Sequence, residues 1–582
     1  MARHPDPESN HCRLFAFDFD GTLAESGVVP SSLQIALERL QSSGCKLFLV
    51  TGRRFESIEL GPLRDCFSGI VWENGGVLYH TATREVYLPF GCVNPHLVEA
   101  LEAAHVPLEY GQAIVATRTP HDETVWHVLN EWGGDASVVH NKGAIMILPP
   151  GVSKGTGLER LLHLCGFSPR NLVTFGDGEN DQALLQLGEI GVAVADAVPT
   201  LKQIADVVTT RPGPAGVMES LETCWLPGSQ RECPVQHVPR IPLGEDEAGE
   251  PVSIAGAVLA SGNVGVFGDS SSGKSWVTGL LAEGMHHAGY QVLLIDVEGD
   301  FKGLQALPRF VVFEGDLKTF PSPALIAHLL ETVMVSVVLD LSAYLVSRRE
   351  NLVAELLHAL HSLKERKFRP HWIVLEEAQS LLPPGSSAVS RVLSPMLHRG
   401  GFAFVTYQPD RLLASVLDTL DFCFLTRLSR PEAIQAISHT VDLRGQSPAL
   451  IPQGYVWLCR ETLTPFLPNI RRVPHIRHLY KYLTAPLPAH KRFRFRDAQD
   501  FLGLEAASLF EFLQLLSTLP IESLEYHHRR GDFVAWVEGA LGDSILAAHL
   551  AKLFHRELEG EALREALMQR VAAHYKDLEA LH

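Results

Sequence analysis

Twice along this chain, over residues 13–222 and again over 252–470, short runs of Val, Ile, Leu and Phe alternate with segments of helical periodicity. That alternation confines both stretches to parallel sheets covered by helices, because a strand buried on two faces is apolar throughout and a parallel return needs a crossover. At 582 residues the chain exceeds one ordinary core, so separate α/β domains follow. Within the first, residues 78–150 carry hairpin-like strands ("GVLYH", "EVYLPF", "SVVH", "AIMILPP") and helical stretches around 95–105 and 121–132, and read as an inserted α/β cap. The Pro- and Gly-containing residues 223–251 read as a linker with one edge strand. Residues 471–496 form a basic connector, and helical periodicity over 497–582 predicts an all-α carboxy-terminal domain.

Composition narrows the function classes. With 46% hydrophobic and 20% charged residues there is no compositional case for long disorder, and a net charge of -18 disfavours indiscriminate binding to nucleic acid or acidic membranes. The nine cysteines stand singly, without C-x-x-C pairs, and are expected to be reduced. No apolar leader is evident, and the apolar run 333–346 is short and contains Asp340, so the expected location is cytoplasmic with no membrane span.

The segment "LFAFDFDGTLAES", residues 14–26, ends a buried-strand pattern in Asp18 and Asp20. Two carboxylates two residues apart on an extended chain project to one side and repel, a conflict that a hard divalent cation such as Mg2+ resolves. Three later segments fall at other strand ends: "LVTGRR" with Thr51, "SKGTGL" with Lys154, and "FGDGENDQALL" with Asp177 and Asp181. Asp18, Asp20 and Asp177 can surround a cation, Thr51 can meet phosphate oxygens, and Asp181 can hold Lys154 in place. Together these four motifs resemble the haloacid dehalogenase superfamily of phosphatases, in that family's order, and "GVAVADAVPTLKQIADVVT" is close to the branch with a large α/β cap. The resemblance implies a Rossmann-like fold, Asp18 as nucleophile forming an aspartyl-phosphate, Asp20 as acid and base, Thr51 and Lys154 as catalytic, and a metal site of Asp18, Asp20, Asp177 and Asp181. "ENGG" at 73–76, Arg53 and residues 110–126 are candidates for selecting the phosphorylated small-molecule substrate.

In the second α/β stretch, "VGVFGDSSSGKSWVTGLL" (264–281) sets a glycine-rich loop between a strand and a helix. Gly268, Asp269, Ser270, Ser271, Ser272 and Gly273 can wrap phosphates with backbone N–H groups, Lys274 can reach the β and γ oxygens of ATP, and Ser275 can bind Mg2+. Further on, "WIVLEEAQSLLP" supplies Glu376 and Glu377, for a metal-bound water and for the attacking water, and "FAFVTYQPDRL" places Gln408 to sense the γ-phosphate. These residues resemble the HerA/FtsK branch of P-loop ATPases, which implies ATP hydrolysis, a homo-oligomer, and a trans-acting, nucleotide-sensing arginine for which Arg399 fits best, with Arg411 and Arg427 as further candidates. Glu376 stands where that branch more usually has Asp, and there is no room before the loop for the β-barrel of many HerA proteins.

Residues 471–496 hold eight Lys/Arg interleaved with aromatics and no acid, a pattern that suits nucleic acid and equally a solvated connector. His527, His528 and Asp532 lack paired metal-ligand spacing and read as packing residues. The leading expectation is a fusion of an Mg2+-dependent phosphatase with an ATPase. The alternatives are a polynucleotide kinase-phosphatase that repairs ends, with Asp296 or Asp300 activating the acceptor, and a phosphatase regulated by a non-hydrolysing nucleotide-bound scaffold.

Overall fold

The computed structural model describes residues 13–580 except 55–56, 59, 142, 227–238, 315–319, 439, 442, 461, 474–486, 488–490, 498–499, 542 and 555–557. Among the described residues the strands form four sheets. The first has the order β12-β11-β10-β1-β2-β3-β4-β5. Its members are β1 (Leu14–Asp18), β2 (Lys46–Val50), β3 (Phe67–Trp72), β4 (Val77–His80), β5 (Glu85–Tyr87), β10 (Leu172–Gly176), β11 (Ile190–Ala193) and β12 (Val207–Val208). β1 pairs in parallel with β10 on one side and β2 on the other, so the chain reverses its direction of travel across the sheet at β1. A crevice forms at the carboxyl ends of strands flanking such a point, and that is where the candidate acids of β1 and β10 emerge.

The cap is a four-stranded antiparallel sheet, β6 (Glu109–Tyr110), β7 (Val115–Arg118), β9 (Ala144–Leu148) and β8 (Ser137–Asn141), backed by helices Pro95–Ala103 and Asp122–Trp132. Its boundary differs from the sequence expectation of 78–150. β4 and β5 pair with β3 and extend the core sheet, so the hairpin texture of "GVLYH" and "EVYLPF" belongs to the core edge. Periodicity reports pairing type but not which sheet a hairpin joins.

The second large sheet runs β14-β13-β23-β22-β21-β15-β20-β19-β16-β18-β17. Its parallel centre holds β15 (Asn263–Phe267), β20 (Phe402–Thr406), β19 (Trp372–Leu375), β16 (Val292–Asp296), β18 (Ser336–Asp340) and β17 (Phe310–Phe313), with β21 (Phe422–Leu425) parallel to β15. β22 (Val456–Cys459) and β23 (Leu463–Pro468) follow antiparallel, then the hairpin β13 (Arg240–Glu245) and β14 (Pro251–Ala255). That hairpin occupies the latter half of the expected linker, so the domain starts near residue 240 rather than 252. The central strands are buried on both faces, each large apolar side chain contributing about 1.5–3 kcal/mol, which is why their sequence is almost free of polar residues.

The carboxy-terminal region is helical, as expected, with one addition: β24 (Phe493–Arg496) and β25 (Phe501–Ala506) form a hairpin where helical periodicity had extended to residue 497. Phe493, Phe495 and Phe512 pack with Phe533 and Trp536 beneath it. His527 lies in this core, accepting from the Arg496 N–H and bonded to Asp532, in line with its reading as a packing residue.

The two α/β units meet along the amino-terminal edges of their sheets. Tyr290, just before β16, donates to Glu189, just before β11. His371, just before β19, bonds Asn171, just before β10, at 3.1 Å. Phe167 stacks on Phe368 at 6.4 Å. The described cysteines are free thiols, and among the described residues no helix is long and apolar enough to cross a membrane.

Candidate active sites

At the carboxyl end of the first sheet, Asp18 closes β1 and Asp177 follows β10, and carboxylate oxygens of Asp18, Asp177 and Asp181 lie within 4.8 Å of one another. Lys154 bridges them: its ammonium donates to Asp18 Oδ1 and to Asp181 Oδ1, each at 2.6 Å, with all three side chains buried. Lys154 is the first residue of the helix Lys154–Cys165, whose start is fixed by the reciprocal capping of Ser153 and Thr156. Asp181 also accepts the N–H groups of Asp177 and Gly178 at 3.0 and 2.9 Å, and a Cβ on Gly176 would sit 2.6 Å from the Asp181 Cβ, so Gly176 is needed for this approach. Burial first, then Asp181, lifts the Asp18 carboxyl well above the usual range despite Lys154. Burial alone would lower Lys154, but Asp18 and Asp181 outweigh it and hold the ammonium charged.

Asp20 stands apart from this cluster. Both its oxygens accept from Arg53, at 2.7 and 2.6 Å, and the Arg53 guanidinium lies over the Phe19 ring. The expected place of Asp20 among the metal ligands is thus one that its carboxylate could take only on release from this bidentate partner. Thr51 is fully buried, its hydroxyl accepting the Arg53 N–H at 3.2 Å. Glu73 of "ENGG", expected to select substrate, instead joins core to cap: it is buried and accepts the N–H groups of Gln112, Ala113 and Ile114. Asn74 donates to the Met146 sulfur of β9 at 2.8 Å across the same joint and accepts from Asn180 within the core at 2.8 Å. A cavity of about 630 Å3 lies between β8 and the segment after Asp177, lined by His140, Asn141, Ser153, Asn180, Gln182 and Gln186 among others.

In the second sheet, the loop 268–273 follows β15 and leads into the helix Lys274–His287, with Ser271 and Gly273 in the left-handed region that turns N–H groups inward. Lys274 lies back on its own loop, donating to the Asp269 carbonyl at 3.0 Å, and burial lowers its pKa against the pull of Glu377 and Glu376. Ser275 donates to Asp300 at 2.8 Å. Asp269 is tied by Ser429 through both N–H and hydroxyl, and Ser272 bonds Thr426 at 2.6 Å. Glu376, at the end of β19, is buried against Asp296, and burial followed by that neighbour keeps its carboxyl well above the usual range. Glu377 has φ 47, an uncommon conformation for its type, and burial raises its pKa. Gln379 donates to Glu377 and accepts from Thr406, whose hydroxyl also receives the Gln408 N–H at 2.9 Å.

Comparison with known proteins follows the same division. Residues 15–87 and 112–221 match the haloacid dehalogenase-like hydrolase family, and residues 241–376 match the family described as helicase HerA, central domain. Phosphoglycolate phosphatase 2 of Saccharolobus solfataricus is 31% identical over 214 residues, 36% of this chain and 91% of that protein. The chain belongs to the haloacid dehalogenase-like hydrolases. Phosphoglycolate phosphatase of Methanothermobacter thermautotrophicus is 29% identical over 36% of this chain and 97% of its own length. The crystal structure of a haloacid dehalogenase-like hydrolase from Bacteroides thetaiotaomicron covers 36% of this chain and 98% of that one, at 22% identity and TM-score 0.33.

Within the haloacid dehalogenase-like unit, the structure brings Asp18, Lys154, Asp177 and Asp181 together and sets Asp20 and Thr51 beside Arg53. In the HerA-like unit it brings the 268–275 loop, Glu376, Glu377 and Gln408 to one edge, the carboxyl ends of β15, β19 and β20. Arg399 is not there. It precedes β20, on the opposite edge from the loop of its own chain, and pairs with Glu365 at 3.3 Å. Of the basic stretch, 474–486 and 488–490 lie outside the described residues; Arg471 is buried against Glu283, and Arg492 and Arg494 pair with Glu505. Sequence reasoning missed Gln379, Thr406 and the hinge role of Glu73, which depend on a fold that joins residues 27 and about 40 apart.

Proposed function

We propose that the first unit is a phosphomonoesterase working through Asp18, and that the second binds and hydrolyses ATP. The observation that supports the first most strongly is the cluster of Asp18, Asp177 and Asp181, two of which, Asp18 and Asp181, share one ammonium group. Three carboxylates against one lysine leave an excess of negative charge, and oxygen donors alone are the set that Mg2+ takes. Asp18 and Asp177 are its fitting ligands, whereas Asp181 spends its oxygens on Lys154 and two backbone N–H groups. Bound there, Mg2+ would lower the pKa of Asp18 and screen its charge from an incoming phosphate.

With Oδ1 held by Lys154, the other oxygen of Asp18 attacks phosphorus, and the bond to the leaving alcohol breaks as Asp20 delivers its proton. Water then cleaves the aspartyl-phosphate, giving its proton to Asp20 and returning Asp18. For Asp20 to act, Arg53 must loosen its bidentate hold, and an arriving phosphate is a suitable competitor for that guanidinium. The names of the relatives make 2-phosphoglycolate the first substrate to assay.

In the second unit Lys274 would leave the Asp269 carbonyl for phosphate oxygens, Ser275 and Asp300 would hold Mg2+, and Glu377 would orient water. The test is phosphate release from p-nitrophenyl phosphate, 2-phosphoglycolate and ATP by the full chain, with Mg2+ and with chelator, and capture of phosphate on Asp18 by mass spectrometry. Monoester hydrolysis that persists in chelator would overturn the metal assignment. Absence of ATP turnover would leave the second unit a nucleotide-bound scaffold.

A further inference from the structure

The helix Lys154–Cys165 runs from the phosphatase site to the seam between the two units, and each end is held by charge. At its carboxyl end the terminal carbonyls have no partner within the helix, and the helix dipole makes them an electronegative site. The caps come from the other unit. Lys367 donates to the Cys165 carbonyl at 2.5 Å with its ammonium 4.4 Å from the Phe167 ring centre, and Arg369 donates to the Gly166 carbonyl at 2.6 Å. Arg369 is 1% exposed and also binds the carbonyls of Leu330 and Glu331 and the side chain of Gln291. It is thereby fixed to the core of the HerA-like unit.

The amino-terminal half of the helix has little freedom to answer a shift independently. A Cβ on Gly155 would lie 2.3 Å from the Ala183 carbonyl oxygen, and one on Gly157 would lie 2.3 Å from the Gly75 Cα. The helix is wedged between the segment that follows Asp181 and the "ENGG" turn, and displacement of its far end is felt at Lys154. A rigid helix transmits such a displacement because its backbone hydrogen bonds resist stretching.

We propose that Lys367 and Arg369 are positioning residues of the phosphatase, setting Lys154 against Asp18 and Asp181 by capping its helix from the neighbouring unit. This rests on the phosphatase reading above. These residues touch no reacting atom and act through the helix axis. A site that depends on placement loses about ten-fold to a hundred-fold in rate when a group is misplaced by an ångström, so the effect belongs in kcat.

The experiment uses the full chain with Lys367→Ala, Lys367→Arg and Arg369→Ala, measuring phosphatase kcat and KM beside amide exchange over residues 154–166. Lys367→Ala is expected to lower kcat about ten-fold with KM unchanged and to speed exchange in the helix, Lys367→Arg to restore both, and Arg369→Ala to exceed Lys367→Ala. Should Arg369→Ala fail to fold, the Lys367 series decides. An active wild type whose Lys367→Ala variant keeps kcat and exchange overturns the proposal. A wild type inactive on every monoester overturns the reading beneath it, and positioning of that reaction falls with it.

Discussion

Lys154 and Lys274 are both buried lysines beside candidate phosphate chemistry, yet Lys154 is gripped by two carboxylates whereas Lys274 donates to a loop carbonyl and lies over the Tyr407 ring. Their charges respond accordingly: carboxylates hold the first ammonium protonated, while burial pulls the second towards neutrality. The lysine of one site is in place in advance and the lysine of the other is poised to reorganise around a ligand. A ground state already matched to its reaction is fast and brittle, and one that folds its lysine away keeps a buried cation tolerable until phosphate arrives.

The sharpest way to break the comparison is to silence each site alone. Asp18→Asn is expected to lower monoester hydrolysis by at least about 10^4-fold and leave ATP turnover within about two-fold, because a missing nucleophile has no substitute. Glu377→Gln should do the converse, losing about 10^2 to 10^3 of ATP turnover with nucleotide binding intact. Loss of both activities in either variant would show that the sites are not independent. A smaller effect separates the lysines by stability. Lys154→Met should cost about 3–5 kcal/mol in urea unfolding, since it strands buried carboxylates, whereas Lys274→Met should be neutral or stabilising.

The smallest concerns a third lysine. Lys364 is buried over the Phe402 ring, donating to the Pro370 carbonyl at 3.3 Å, and burial lowers its pKa to about 7. Between about 7 and its unfolded value of 10.5 the unfolded chain binds the extra proton, so stability rises with pH there, and the full penalty of this lysine is present below about 7. Lys364→Met should therefore raise the Tm at pH 7 and lose that advantage as pH approaches 10. An equal gain at both pH values would place the charge elsewhere.

Much of this was legible in the residues. Strand ends carrying Asp18, Thr51, Asp177 and Glu376 announce themselves because an apolar run that stops in a polar residue fixes both a strand and its edge. What stayed hidden depends on three-dimensional neighbours. Arg53, on both oxygens of Asp20, was one such neighbour. That Arg399 and the 268–275 loop of its own chain lie on opposite edges of the sheet needed the strand order, since one precedes a strand and the other follows one. The β4–β5 hairpin was visible as a hairpin and only register assigned it to the core sheet, whereas β13–β14 lay in what read as a linker with one edge strand.

The seam at the amino-terminal edges of both sheets has a consequence for traffic. Each strand of five residues adds roughly 17 Å, so the two mouths open in opposite directions with both sheets between them. A molecule released from one mouth reaches the other only through bulk water. On the functions proposed above, this separation brings no relay of a captured intermediate within one copy; what the single chain does bring is a fixed one-to-one ratio of its two units.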